Sequence, residues 1–340
     1  MPEASPHVGE ELAGLKLNFF NPGGEEKLME FTGRHVLSAK DFTREEIEAL
    51  LEAGTRVKNK HPGEVLRGKI LATLFFEPST RTRLSFESAM LRLGGSVLGF
   101  HSSEVSSIKK GETLADTIRT VNNYADVIVM RHGSEGAAQL AAMFSQIPVI
   151  NAGSGSGEHP TQALLDLLCI KNELGTIDGL NIALLGDLRY GRTVHSLAYL
   201  LSNFDVNVYF VSPESLRMTF RVVDELRSRQ FRRPGVKFQF KETAKFKRLL
   251  PILDVLYVTR IQRERFTDPE EYELVRGVYV FRKEDLADTK DKFILMHPLP
   301  RIDEIAPDVD DSPKAMYFKQ TRYGLWMRMA LLSLILGARV

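Results

Sequence analysis

From His35 onward, short runs of β-branched and apolar residues alternate with longer amphipathic stretches. That rhythm confines the chain to parallel sheets covered by helices on both faces. The runs fall at 69–76, 96–100, 126–130 and 148–150, then at 181–185, 206–211, 254–258 and 293–296. Helical spacing of apolar residues occupies 43–57, 82–93, 114–124, 162–174 and 193–203. About four strands precede residue 160 and four follow it. The economical solution is two doubly wound α/β domains, linked through the helix at 162–174. A length of 340 residues agrees with two domains.

Polar and reactive residues gather where strands end. Glu77 to Arg83 follows the first run and 102–111 the second; Arg131 follows the third and 151–162 the fourth. In the second half, 187–192, 260–262 and 297–301 each follow a run. Open α/β sheets bind ligands beyond the carboxyl ends of their strands, so these loops are expected to line one crevice between two sheets.

One loop reads as an anion site. Ser79 follows Pro78 at the N-cap position of a helix whose apolar spacing is Phe86, Met90, Leu93, and Gly94-Gly95 ends it. A first helical turn favours acids, yet this one carries Arg81 and Arg83. Two cations there oppose the helix dipole by about 0.3–1 kcal/mol each unless an anion is bound. Free N–H groups, the hydroxyls of Ser79, Thr80 and Thr82, and a guanidinium would hold a phosphate. Neither a Walker motif nor G-x-G-x-x-G is present; 186–191 lacks the spacing, which argues against a dinucleotide-dependent oxidoreductase.

A second cluster, His159-Pro160-Thr161-Gln162, ends a loop containing Gly153, Gly155 and Gly157. Those glycines are expected to let backbone approach a ligand, and His159 with Gln162 suits a carbonyl group. Arg192, Arg260 and Gln262 form a third group, suited to carboxylates. Cys169, the one cysteine, sits among apolar helix residues and reads as a buried structural thiol in a reducing, cytoplasmic compartment. No His/Cys/carboxylate spacing suggests a metal, and no cofactor is expected.

Partner classes are narrowed by charge and hydropathy. Lys plus Arg number 45 against 44 Asp plus Glu, so nothing announces nucleic acid. The longest apolar run, 329–336, is far shorter than the roughly 20 residues of a membrane span. Residues 1–31 are acid-rich, unlike a transit peptide, and read as a polar N-terminal extension.

Several segments together resemble the aspartate branch of the aspartate/ornithine carbamoyltransferase family. They are Phe75-Phe76-Glu77-Pro78-Ser79-Thr80-Arg81-Thr82-Arg83, Lys109-Lys110-Gly111-Glu112-Thr113, His159-Pro160-Thr161-Gln162, the stretch 186–196, Arg260-Ile261-Gln262-Arg263-Glu264-Arg265 and His297-Pro298-Leu299-Pro300-Arg301. The last two distinguish the aspartate branch from the ornithine branch, which usually has Cys in the final motif. Gly133, where many relatives have Pro, and the extension 1–31 depart from the pattern without touching a liganding position.

The resemblance implies a carbamoyl phosphate-binding domain at 32–163 plus 322–340 and an aspartate-binding domain at 164–321. It implies transfer of a carbamoyl group to L-aspartate in pyrimidine biosynthesis. Ser79, Thr80, Arg81, Thr82 and Arg131 would hold the phosphate, and Thr82, Arg131 and His159 would meet the carbamoyl oxygen. Gln162 and the carbonyls of Pro298 and Leu299 would orient the amino group, with Arg192, Arg260, Gln262 and Leu299 on the aspartate. Ser106 and Lys110 would enter from a neighbouring subunit of a homotrimer, Lys110 reaching both substrates. A regulatory chain or another enzyme of the pathway is left open as a partner. The alternatives are an ornithine-type carbamoyltransferase, whose cationic substrate Arg260 and Gln262 do not suit, and a non-catalytic phosphate-binding homologue, which should have lost some of these donors.

Overall fold

The computed structural model describes residues 31–102 and 111–340. Residues 1–30 of the expected extension, and Ser106, Lys109 and Lys110, lie outside the described residues. Phe31, the last residue assigned to the extension, is buried.

Two all-parallel sheets carry the fold. The first contains β1 (Ile70–Phe75), β2 (Ser96–Phe100), β3 (Val127–His132) and β4 (Val149–Ser154), in the order β2-β1-β3-β4. The second contains β5 (Asn181–Leu185), β6 (Asn207–Val211), β7 (Gln239–Thr243), β8 (Val255–Val258) and β9 (Ile294–Met296), in the order β7-β6-β5-β8-β9. Strand β7 is a fifth strand that the sequence reading missed. Its Gln-Phe-Lys-Glu-Thr pattern is largely exposed at a sheet edge, where charged residues discourage further pairing and erase the apolar signal. The central strands are almost wholly buried, as sheets covered on both faces require. Leu185, Leu256, Val258, Phe281 and Phe293 build the core of the second sheet; Ala72, Leu74, Ile128, Met130 and Val149 build that of the first. Burying each Leu, Ile or Phe contributes about 1.5–3 kcal/mol before entropy is counted.

Helices begin and end on local chemistry. In α1 (Arg44–Asn59), Thr43 Oγ1 accepts from the Glu46 N–H at 3.3 Å while the Thr43 N–H donates to Glu46 Oε2 at 2.9 Å, a reciprocal cap. The link helix α5 (Pro160–Leu174) has proline at its first position and stops at Gly175, whose φ of 83° is open to glycine at little cost. The C-terminal helix α9 (Tyr317–Ile335) follows the second sheet yet packs on α1, α5 and α2 (Thr80–Arg92).

The topology places the site. In the first sheet the chain leaves β1 for β2 on one side and β3 on the other; in the second it leaves β5 for β6 and then β8. The loops after β1 and β3, and after β5 and β8, therefore open at switch points, where an open sheet offers a crevice. Gly186 makes the second of these turns possible. Its φ is 120°, and a Cβ there would lie 2.2 Å from the Thr259 carbonyl oxygen at the end of β8. Gly186→Ala is expected to destabilise the protein by about 2 kcal/mol or more, from strained backbone plus that clash. A urea denaturation midpoint equal to wild type would show that the close approach is not required.

Candidate functional site

A cleft of about 1150 Å³ opens at these switch points. Its walls carry Ser79, Thr80, Arg81 and Thr82 from the start of α2, and Arg131 from β3. His159 and Gln162 come from the start of α5, Arg192 from the start of α6 (Arg192–Leu201) after β5, Arg260 and Gln262 from the loop after β8, and Pro298 and Leu299 from the loop after β9. Every expected site residue among those described thus lines this one cavity.

Glu77 organises the centre. Its carboxylate accepts from Arg192 at 3.2 and 3.3 Å and from Arg131 at 3.4 Å, joining the loops of the two sheets. Burial would raise this carboxyl, but Arg192 and Arg131 outweigh it and hold it below the usual range. Arg131 is lowered to about 10, first by burial and then by Arg192, with Glu77 compensating only in part. Its Nε has no partner among the described residues, and its Nη1 donates to Ser79 Oγ at 3.2 Å.

The helix start falls where Ser79 as N-cap puts it, with α2 beginning at Thr80, and differs from expectation in two respects. Ser79 occupies the N-cap position with extended backbone, but its hydroxyl makes no cap bond; it accepts from Arg131 instead. The first-turn N–H groups are left for a ligand. Arg83 is answered within the helix by Glu87 at 2.7 Å, whereas Arg81 bonds to no described residue. Arg81 is therefore the first-turn cation left to meet an anion. Burial lowers its guanidinium, and Arg260 across the cleft lowers it further, so two cations from separate sheets converge.

The glycine loop has close neighbours within the protein itself. A Cβ at Gly153 would lie 3.1 Å from the Arg192 guanidinium carbon, and the Gly155 carbonyl accepts from Arg192 Nη1 at 2.8 Å. Gly153 makes room for Arg192, which holds the walls together, whereas Gly155 and Gly157 lie against Glu135.

His159 is buried, with Nε2 3.5 Å from Thr82 Oγ1 and Nδ1 without a described partner. Burial, then Arg131, Arg192 and Arg328, push its pKa well below the ordinary histidine value, so it is neutral at pH 7 and offers one N–H. Arg260 is paired with Glu264 on the same loop. Gln262 is placed through its backbone N–H on Asp187, whose other oxygen accepts from the N–H groups of Arg189 and Tyr190. The 297–300 turn is pinned by His297. Its Nδ1 accepts from the Leu299 N–H at 2.8 Å and its Nε2 meets Glu304 at 2.7 Å. Leu299 has a φ of 58°, a costly conformation for leucine that faces the cavity. Cys169 is fully buried and burial raises its thiol pKa, as a structural residue should be.

Sequence reasoning missed the supports: Glu77, Asp166, Gln320, His297 and Glu304. Glu77 and His297 lay inside quoted motifs but carried no assigned role. Asp166 and Gln320 sit in apolar helices more than 150 residues apart, and only folding makes them neighbours.

Two doubly wound sheets meeting at a cation-lined crevice define the class, and sequence comparison specifies it. Residues 34–172 match the profile of the aspartate/ornithine carbamoyltransferase carbamoyl-P binding domain, and residues 178–335 match that of the Asp/Orn binding domain. The chain belongs to the aspartate/ornithine carbamoyltransferase family. It is 58% identical over 313 residues to the aspartate carbamoyltransferase catalytic subunit of Thermococcus onnurineus, covering 91% of this chain and 99% of the relative. Among solved structures it resembles the aspartate transcarbamoylase of Trypanosoma cruzi in complex with carbamoyl aspartate and phosphate. There the TM-score is 0.85 and the identity 44%, over 90% of this chain and 97% of that one. It also resembles the catalytic subunit of the Methanocaldococcus jannaschii enzyme, with a TM-score of 0.79 and 53% identity over 88% and 97%.

Arg81→Ala is expected to weaken inorganic phosphate binding by about 10-fold or more, the worth of a charge-assisted bond, while leaving the melting temperature nearly unchanged. Isothermal titration beside a thermal scan checks both. Unaltered phosphate affinity in the folded variant would remove Arg81 from the anion site.

Proposed function

We propose that this protein transfers the carbamoyl group of carbamoyl phosphate to the amine of L-aspartate, giving N-carbamoyl-L-aspartate and phosphate in pyrimidine biosynthesis. The observation that carries the reading is the meeting of Arg81 with Arg260 across the cleft. One lies at a helix start free to take a phosphate, the other beside Gln262 and Arg192 in a group suited to carboxylates. Two anionic substrates laid side by side account for both. An ornithine side chain would bring a third cation.

Carbamoyl phosphate binds with its phosphate on Ser79, Thr80, Arg81, Thr82 and Arg131. Its carbonyl oxygen meets Thr82, Arg131 and neutral His159, and its amino group meets Gln162 and the Pro298 and Leu299 carbonyls. Arg192, Arg260, Gln262 and Leu299 hold aspartate. The deprotonated amine attacks the carbamoyl carbon; a C–N bond forms, the bond to the phosphate oxygen breaks, and the amine's remaining surplus proton passes to the departing phosphate. No protein nucleophile is needed. Rate enhancement comes from alignment and from donors already placed where charge gathers on the carbonyl oxygen. Glu77 keeps Arg131 and Arg192 in place before substrate arrives.

The active unit is a homotrimer in which Ser106 and Lys110 enter a neighbour's cleft. Support comes from the family resemblance and from Leu84 and Leu91, which lie seven residues apart on α2 and are 58% and 61% exposed. The cytoplasm is the matching compartment, on the reading of Cys169 as an unpaired buried thiol.

Offered carbamoyl phosphate with either aspartate or ornithine, the wild-type protein should carbamoylate aspartate; exclusive use of ornithine would overturn the assignment. Arg260→Ala and Gln262→Ala should raise the KM for aspartate by about 10-fold or more while carbamoyl phosphate binding stays within about twofold. Calorimetry in which carbamoyl phosphate binding collapses in either folded variant would contradict this division of the cleft.

For the shared site, Arg81→Ala and Lys110→Ala trimers should each be nearly inactive, and hybrids formed by dissociation and reassociation should regain activity. A hybrid contains an interface whose two faces are both wild type. Hybrids confirmed by native mass spectrometry that stay inactive would place Lys110 in its own chain's site.

A further inference from the structure

A chain of hydrogen bonds behind the cleft decides which end of the Gln162 amide faces the ligand. It starts at a group that cannot reverse its role: the backbone N–H of His297 donates to Gln320 Oε1 at 3.0 Å. With its oxygen so engaged, Gln320 turns its NH2 to Asp166, donating to Oδ1 at 2.6 Å. The same oxygen accepts from Gln162 Nε2 at 2.9 Å, and Asp166 Oδ2 accepts from the Tyr257 hydroxyl at 2.8 Å. Asp166, Gln320, Gln162 and Tyr257 are all buried. In such a network an amide turned the wrong way sets donor against donor, at the cost of an unmade buried bond. Gln162 Oε1 is left on the cleft side with no donor among the described residues.

Building on the reaction assigned above, we propose that Asp166, itself oriented by Gln320, is a positioning residue that fixes the Gln162 amide with its oxygen toward the ligand. The cleft thereby selects an acyl phosphate whose acyl group carries an N–H donor. A carbamoyl NH2 satisfies Gln162 Oε1; a methyl group in its place leaves that oxygen unpaired. Burial raises the Asp166 carboxyl to about 7 against the bonds from Tyr257, Gln320 and Gln162. A proton taken up there belongs on Oδ2, turned toward Tyr257, because Oδ1 already receives two donors. Either protonation state preserves the Gln162 orientation. The device also ties α5 to the 297–300 turn, so Gln162 and the backbone of Pro298 and Leu299 are set by one set of bonds.

The test uses phosphonoacetamide and its methyl isostere 2-oxopropylphosphonate, with affinities measured by calorimetry on the full chain. Wild type should prefer the amide by about 10-fold, the worth of one buried hydrogen bond with its unpaired penalty. Asp166→Ala should bring the ratio toward one with inorganic phosphate affinity unchanged. Asp166→Asn should keep the wild-type ratio, because Gln320 holds the Asn oxygen toward both amides and the Asn NH2 faces Tyr257. In turnover, Asp166→Ala should lower kcat by about 10-fold, but by less than about twofold in a Gln162→Ala background. An unchanged ratio in folded Asp166→Ala, or a kcat loss that persists without Gln162, overturns the proposal.

If Asp166→Ala does not fold, Asp166→Asn combined with Gln320→Leu frees the amides to turn. The ratio should then collapse although Asp166→Asn alone retains it; a retained ratio in the pair overturns the proposal. The calorimetric ratio needs no aspartate. A wild type that fails to carbamoylate aspartate would sink the reaction assignment alone, whereas a wild-type ratio near one would sink only the selection proposed here.

Discussion

A single carboxylate, Glu77, makes the cleft tenable. Arg131 comes from β3 of the first sheet and Arg192 from the start of the helix after β5 of the second, and they converge on one small volume. Buried cations repel one another and lose hydration, a penalty of several kcal/mol per ion if nothing answers it. Glu77 answers two guanidinium groups at once, yet Arg131 remains depressed and Arg81 keeps no described partner. The residual positive field is thus held ready for anions. Full neutralisation would have given a stable but idle salt-bridge network; without Glu77, the walls would repel each other.

Around that centre several of the candidate site's segments are held by supports from elsewhere in the chain. His195, buried on α6 (Arg192–Leu201), illustrates the pattern. Its Nε2 lies 2.8 Å from the Leu188 carbonyl, and Nδ1 lies 3.1 and 3.2 Å from those of Ser156 and Gly157. The ring sits between the loop after β5 and the glycine loop of the first sheet, and, kept uncharged by burial, it donates its one N–H to a carbonyl on one side only. Asp187 gathers three backbone N–H groups for Gln262, and His297 shapes the turn containing Leu299. Preorganisation of this kind lets polar groups face a substrate without reorganising during reaction.

How far the sequence alone reached depends on the range of the signal. Buried parallel strands announce themselves through local apolar runs, so eight of the nine strands among the described residues are legible to within a few residues; edge strand β7, exposed and charged, is not. The candidate anion site stands out in the sequence because arginines in a first helical turn contradict the dipole, a conflict visible within five residues. Arg83 was over-read, since Glu87 one turn on already answers it. The neighbours of the glycine loop are invisible in the sequence, because Arg192 packs on Gly153 from 39 positions further on.

The sequence by itself determined the strand–helix alternation, the loops that carry the chemistry, and the family motifs, because each is written in residues a few positions apart. Only the tertiary structure decided which charges cancel and which stay open, and which way an amide turns. Glu77 meets Arg192 across 115 positions, and Gln320 meets Asp166 across 154. Electrostatic energy and hydrogen-bond direction depend on separation in space, and two parallel sheets bring together at their carboxyl ends groups that the chain keeps far apart.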